Sequence, residues 1–302
     1  MICHPGLVGD DVPGLAFFRH PTPTLGWLQT NHGRPHPADP ATLFARIAFY
    51  HRTTAEAEAT PPVPGSPLAV DDAALGAYPL SHGVSMATGV AMDHLEAIRS
   101  LVQDAGVTHP WAEHTLLRAA FESACTALWL IGPDDAGERR HRRLRQVWND
   151  ADESRKARTK HNVERPSGRT RDEIEASILA LAPDERSVSH WTYLDVVRGA
   201  ALHIGQQPDF FELVWRAQSG LAHGKSWATL AMLEREEATG ASDGEVSIRL
   251  TTSVEQLAPA AAMTLNIVRR AWALSETRGR STGEERISPP ADGATVLPTV
   301  TS

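Results

Sequence analysis

From about residue 80 onward, apolar residues recur at helical spacing in one segment after another, and the segments are bounded by residues that start and stop helices. SHGVSMATGVAMDHLEAIRSLVQDAG, 81–106, opens at a serine cap and closes on Gly106. WAEHTLLRAAFESACTALWLIG, 111–132, follows Pro110 and closes on Gly132, with Leu117, Phe121, Ala124 and Leu128 as its apolar stripe. The spacing predicts further helices over 136–161, 171–182, 187–205, 208–224 and 255–276. SWATLAMLER, 226–235, and EVSIRLTTS, 245–253, read as two strands joined by the turn ATGASDG. The fold class is therefore mostly α. It is a helical bundle with one β-hairpin inserted before the last helix, plus an irregular N-terminal extension.

Three regions follow from this pattern. Residues 1–68 form a Pro-rich extension with one helix, 41–59, closed by TPPVPGSP, which no helix can cross. Its first 39 residues are expected to be irregular and draped over the body through Phe17, Phe18, Trp27 and Leu28. Residues 80–276 make the helical domain, and 277–302, rich in Gly, Ser, Thr and Pro, read as a disordered tail. A chain of 302 residues is long enough for a substantial core.

Several function classes fall away. Cys3 and Cys125 are the only cysteines, too few for a disulfide framework or a four-cysteine metal site. The opening MICHPGLVGDDVPG lacks the regions of a signal peptide, and no stretch approaches 18 apolar residues. The expected compartment is the cytoplasm, with no membrane association. The fourteen histidines are scattered; HExxH, GxSxG and a phosphate loop after a strand are all missing. No metal and no cofactor is expected.

Charge is distributed unevenly. Between residues 138 and 171 twelve cations face five acids, a net of +7 in a chain of −8. Arg139, Arg140, Arg142, Arg143 and Arg145 head this segment. An Arg-rich helix can bind phosphate backbones without reading sequence. The same residues can equally form a solvated face paired with acids elsewhere in the chain, and Trp148 is the only aromatic interleaved among them.

The stretch WRAQSGLAHGKSW, 215–227, carries the sharpest candidate chemistry. On a helical wheel Phe210, Leu213, Val214, Ala217 and Leu221 share one stripe, and Glu212, Arg216, Ser219 and His223 share the opposite one. Arg216 and His223 lie about 10 Å apart along the axis. An arginine fork can hold a phosphodiester while a histidine moves protons, with Ser219 donating between them. A structural reading is just as complete. Glu212 and Arg216 form an i, i+4 pair, His223 sits well at a helix C-terminus, and Gly224 is the left-handed residue that ends it. On the helix over 111–132, Arg118 and Glu122 form another i, i+4 pair, and Cys125 and Trp129 continue their edge. Glu122 can serve as a carboxylate that positions Arg216 or His223, or the pair can simply stabilise its helix.

Arg216, six residues and then His223 near a helix end resembles the signature of the HEPN superfamily of small helical bundles. LLRAAFESACTALWL, 116–130, and the later S-G-x-A-H-G segment, Ser219 to Gly224, are similar to uncharacterised bacterial HEPN-like families. The resemblance covers roughly 110–276, and Ala217 stands where the family usually has a polar residue. It implies RNA binding and metal-independent RNA cleavage by a homodimer in a defence or toxin-type system, with an antitoxin-like protein partner. In that reading Arg216 binds the scissile phosphate and His223 acts as acid or base. The alternative is a non-catalytic helical interaction protein.

Overall fold

The computed structural model describes residues 2–3, 39–57, 61–161, 170–182, 184–237 and 246–280. In chain order these residues form β1 (Ile2–Cys3), α1 (Pro40–Ala57), α2 (Pro67–Leu75), α3 (Leu80–Arg99), α4 (Ala112–Ile131) and α5 (Ala136–His161). Then come α6 (Arg171–Leu179), α7 (Glu185–Ser189), α8 (Tyr193–His203), α9 (Pro208–Ala222) and α10 (Ser226–Met232). β2 (Glu234–Glu237), β3 (Val246–Thr251) and α11 (Val254–Gly279) complete the order. The fold is a helical bundle, and β2 and β3 pair antiparallel just before the last helix, Glu234 opposite Thr251 and Glu237 opposite Ile248. β1 pairs antiparallel with the other edge of β3.

The bundle is built around α4. Every residue from Ala124 to Ile131 is buried. A helix that is apolar on all sides must be covered on all sides, and α3, α8, α9 and α11 pack around this one. Phe121 of α4 meets Phe211 of α9 with ring centroids 5.4 Å apart. Leu43, Phe44 and Ile47 of α1 and Leu68 and Leu75 of α2 enter the same core. A smaller apolar cluster of Leu221, Ala228, Leu233 and Leu250 ties the end of α9 to α10 and β3. Among the described residues no helix is long and apolar enough to cross a membrane.

Local differences from the sequence expectations have identifiable causes. SWATLAM is a helix, and the strand begins only at Glu234. Ala228, Thr229 and Leu230 are buried in succession, which an alternating strand with one wet face does not do. The segment 187–205 is two helices, because Thr192 accepts from the Asp195 amide and starts α8 afresh. α1 ends at Ala57, before TPPVPGSP, and within that segment Ser66 accepts from the Ala69 amide and Pro67 opens α2 at once. α3 ends in a π-helical turn, Ser100–Asp104. α11 runs to Gly279, three residues beyond the predicted end. Phe17, Phe18, Trp27 and Leu28, the turn ATGASDG and the tail from 281 lie outside the described residues.

Candidate functional site

The end of α9 is set by two glycines. Gly224 has φ +62°, the left-handed value at which glycine carries no Cβ penalty. Its amide bonds Leu221 O at 3.0 Å, and the Lys225 amide bonds Gly220 O at 2.8 Å, which together make a Schellman motif. Gly220 has another role. A Cβ there would lie 2.5 Å from the Ala228 Cβ, so only glycine lets α9 and α10 pack this closely. His223 is the last residue before the turn and is exposed.

His223 meets an arginine, but from a different helix than the spacing implied. Nη1 of Arg118 on α4 lies 3.0 Å from His223 Nε2. A guanidinium can only donate, so His223 Nε2 accepts in this arrangement. Arg118 is itself fixed. Its Nε donates to Glu122 Oε1 at 3.1 Å, and Trp215 Nε1 donates to the same oxygen at 2.6 Å. The result is a chain from Trp215 through Glu122 and Arg118 to His223, spanning α4 and α9. Glu122 thus fixes the orientation of the Arg118 side chain.

Arg216 belongs to a separate group. Its Nε donates to Glu212 Oε1 at 2.7 Å, its side chain is 54% exposed, and its guanidinium lies 5.8 Å from the Trp215 ring centre. Arg198 of α8 donates to the other Glu212 oxygen and to Asp209, both at 2.6 Å. Arg216 and then Arg198 hold the Glu212 carboxyl below its ordinary range. Ser219 is half-buried, and its carbonyl accepts from the His223 amide at 3.1 Å.

The apolar stripe of α9 is turned from its expected phase. Phe211, Ala217, Gln218, Gly220 and Leu221 are buried, while Phe210, Leu213 and Val214 are only half-buried. Gln218 thus points inward, where its side chain approaches the buried His114. His114 Nε2 lies 3.3 Å from Thr252 Oγ1. Burial holds the His114 imidazole below its ordinary range, against the opposing pull of Gln218 and the Glu113 carboxylate.

The arginines that open α5 are engaged within the chain. Arg139 is 3% exposed, pairs with the fully buried Asp71 at 2.6 Å and donates to the carbonyls of Pro133 and Asp134. Arg140 stays 3.9 Å from Asp71. Arg142 donates to Trp129 O and Glu138, Arg143 to Pro79 O, and Arg145 to His190 O. Burial holds the guanidinium groups of Arg143 and Arg145 below their ordinary pKa range. Arg142, Arg143 and Arg145 thus dock α5 on its neighbours through backbone oxygens, and Arg139 through Asp71.

Cys125 is fully buried, and desolvation pushes its thiol well above the ordinary range, which leaves it a small apolar side chain. Among the described residues no group of three or more His, Cys, Asp or Glu could hold a metal ion. No protein-family model, no curated protein and no solved structure matches the chain.

Proposed function

We propose that this protein is a HEPN-like RNA-binding protein that cleaves RNA without a metal, with His223 as its acid–base group and Arg118 as the arginine that serves it. The observation that carries this reading is the exposed 3.0 Å approach of Arg118 Nη1 to His223 Nε2, with Arg118 held by Glu122. Arg118 swings one N–H from the imidazole to a phosphate oxygen. That move supplies charge-assisted binding and frees the Nε2 lone pair. His223 then takes the proton of a 2′-hydroxyl as that oxygen attacks phosphorus. The 5′-oxygen leaves, and a His223 of a second copy, protonated beforehand, gives it a proton. The products are a 2′,3′-cyclic phosphate and a 5′-hydroxyl. Arg216, on the outer face of α9, steers the strand by its charge.

The test is cleavage of a mixed structured and unstructured RNA in EDTA. The wild type cuts and leaves cyclic phosphate ends, and His223→Ala loses on the order of 100-fold or more in rate. Cleavage that needs added magnesium, or that survives His223→Ala, refutes the reading.

A second reading rests on the Arg216–Glu212 pair. That arginine is satisfied within its own helix on an open surface, as in a helical interaction protein with no chemistry. RNA that neither binds nor is cut in the same assay favours it.

A further inference from the structure

Arg118, Glu122, Cys125 and Trp129 follow one another at helical spacing along one edge of α4. From Trp129 a run of aromatic rings leads to the surface. Because α8 runs alongside α4 in the same direction, with Gly199 against Trp129 and His203 against Gly132, Tyr193 lies about 9 Å back along the axis toward Glu122. Trp191 stands perpendicular to Trp129 with centroids 5.1 Å apart, and Tyr193 stands edge-on to Trp191 at 6.1 Å. Arg142 and Arg145 lie over the Trp129 ring at 4.9 and 5.4 Å, and so hold it from the α5 side. Gly199 lets α8 approach, since a Cβ there would fall 2.7 Å from Trp129. Tyr193, the first residue of α8, remains 46% exposed. Two of the acids near it are occupied. Glu122 accepts from Arg118 and Trp215, and Asp195 accepts from Thr192 and lies 3.0 Å from His190 Nε2.

We infer that Tyr193 is the stacking surface of a nucleobase subsite beside the Arg118–His223 pair, an inference that rests on the RNA reading above. Its ring meets Trp191, which in turn packs on Trp129, and its side chain stays partly exposed. A cation for the adjoining phosphate, Arg118, lies on the same edge of α4. Partial burial, with the Glu122 and Asp150 carboxylates, raises the Tyr193 phenol above its ordinary range, and Arg118 opposes them. An aromatic face accepts any base by stacking. It requires an unpaired base, because the faces of paired bases are already covered within a helix.

The test is fluorescence anisotropy with full-length protein and a labelled 12-nucleotide 2′-O-methyl RNA, which cannot be cut through its 2′-position. The RNA is offered unpaired or annealed to its complement, and Arg118→Ala serves as the phosphate control. The unpaired strand is expected to bind tighter. Tyr193→Ser should weaken that binding at least about 5-fold, while Tyr193→Phe stays within about 2-fold of wild type. Duplex binding should be the same in all three proteins. If Arg118→Ala weakens binding but Tyr193→Ser does not, or if both RNA forms bind equally, the subsite is refuted and the RNA reading stands. If neither form binds, both are refuted.

Discussion

Gly220 and Gly224 shape the candidate site without taking part in its chemistry. A methyl group at 220 has 2.5 Å to the Ala228 Cβ and 3.0 Å to the Trp227 ring, too little for any rotamer to relieve. Gly220→Ala should cost about 1–3 kcal/mol of stability, read as a lower urea midpoint. An unchanged midpoint would mean that α9 and α10 do not pack as described. His114 offers a pH signature. Its pKa in the folded chain lies below the ordinary value of about 6.5. The unfolded chain therefore binds the proton first, and stability is lost as pH falls below about 6.5. Between pH 7 and pH 5, His114→Gln should lose less stability than the wild type in denaturant titrations; parallel losses would contradict the buried neutral imidazole. Gly224 was legible as a helix stop from its place after a periodic run. Gly220 was not, because the helix it abuts, α10, read as a strand.

At the scale of elements, α5 shows how an arginine cluster can be structural. Arg139 and Asp71 are both buried, and a buried pair is costly to break from one side. Arg139→Met should cost about 3–5 kcal/mol in chemical denaturation, and Asp71→Leu with Arg139→Met should restore much of it. If the double variant is as unstable as the single one, the pair is not what holds α5 to α2. The density of charge over 138–171 was plain in the sequence. That its first arginines end on backbone carbonyls of α4 and the loops was not, since those acceptors carry no sequence mark. The phase of α9 failed for a related reason. Phe210 and Phe211 are adjacent, so two helical faces about 100° apart fit the pattern nearly equally well. Contact with Phe121 selects Phe211.

For the molecule as a whole, the mostly α class and most helix segments were legible because periodic apolar runs are a strong local signal, although Leu80–Arg99 starts after Pro79 without the expected serine cap. The candidate site was legible in its parts. Arg118, Glu122 and His223 were each recognisable, and the Arg118–Glu122 pair has its expected i, i+4 spacing. What was out of reach was the join between them. Arg118 and His223 are 105 residues apart, and only the crossing of α4 over α9 brings them to 3.0 Å. The central claim is that His223 is served by Arg118 and not by Arg216. Two double-mutant cycles on single-turnover RNA cleavage in EDTA test it, one for His223 with Arg118 and one for His223 with Arg216, all changed to alanine. The account predicts strong non-additivity for the first cycle, the double variant hardly slower than His223→Ala, and near-additive losses for the second. Additive losses with Arg118 and strong coupling to Arg216 would contradict it.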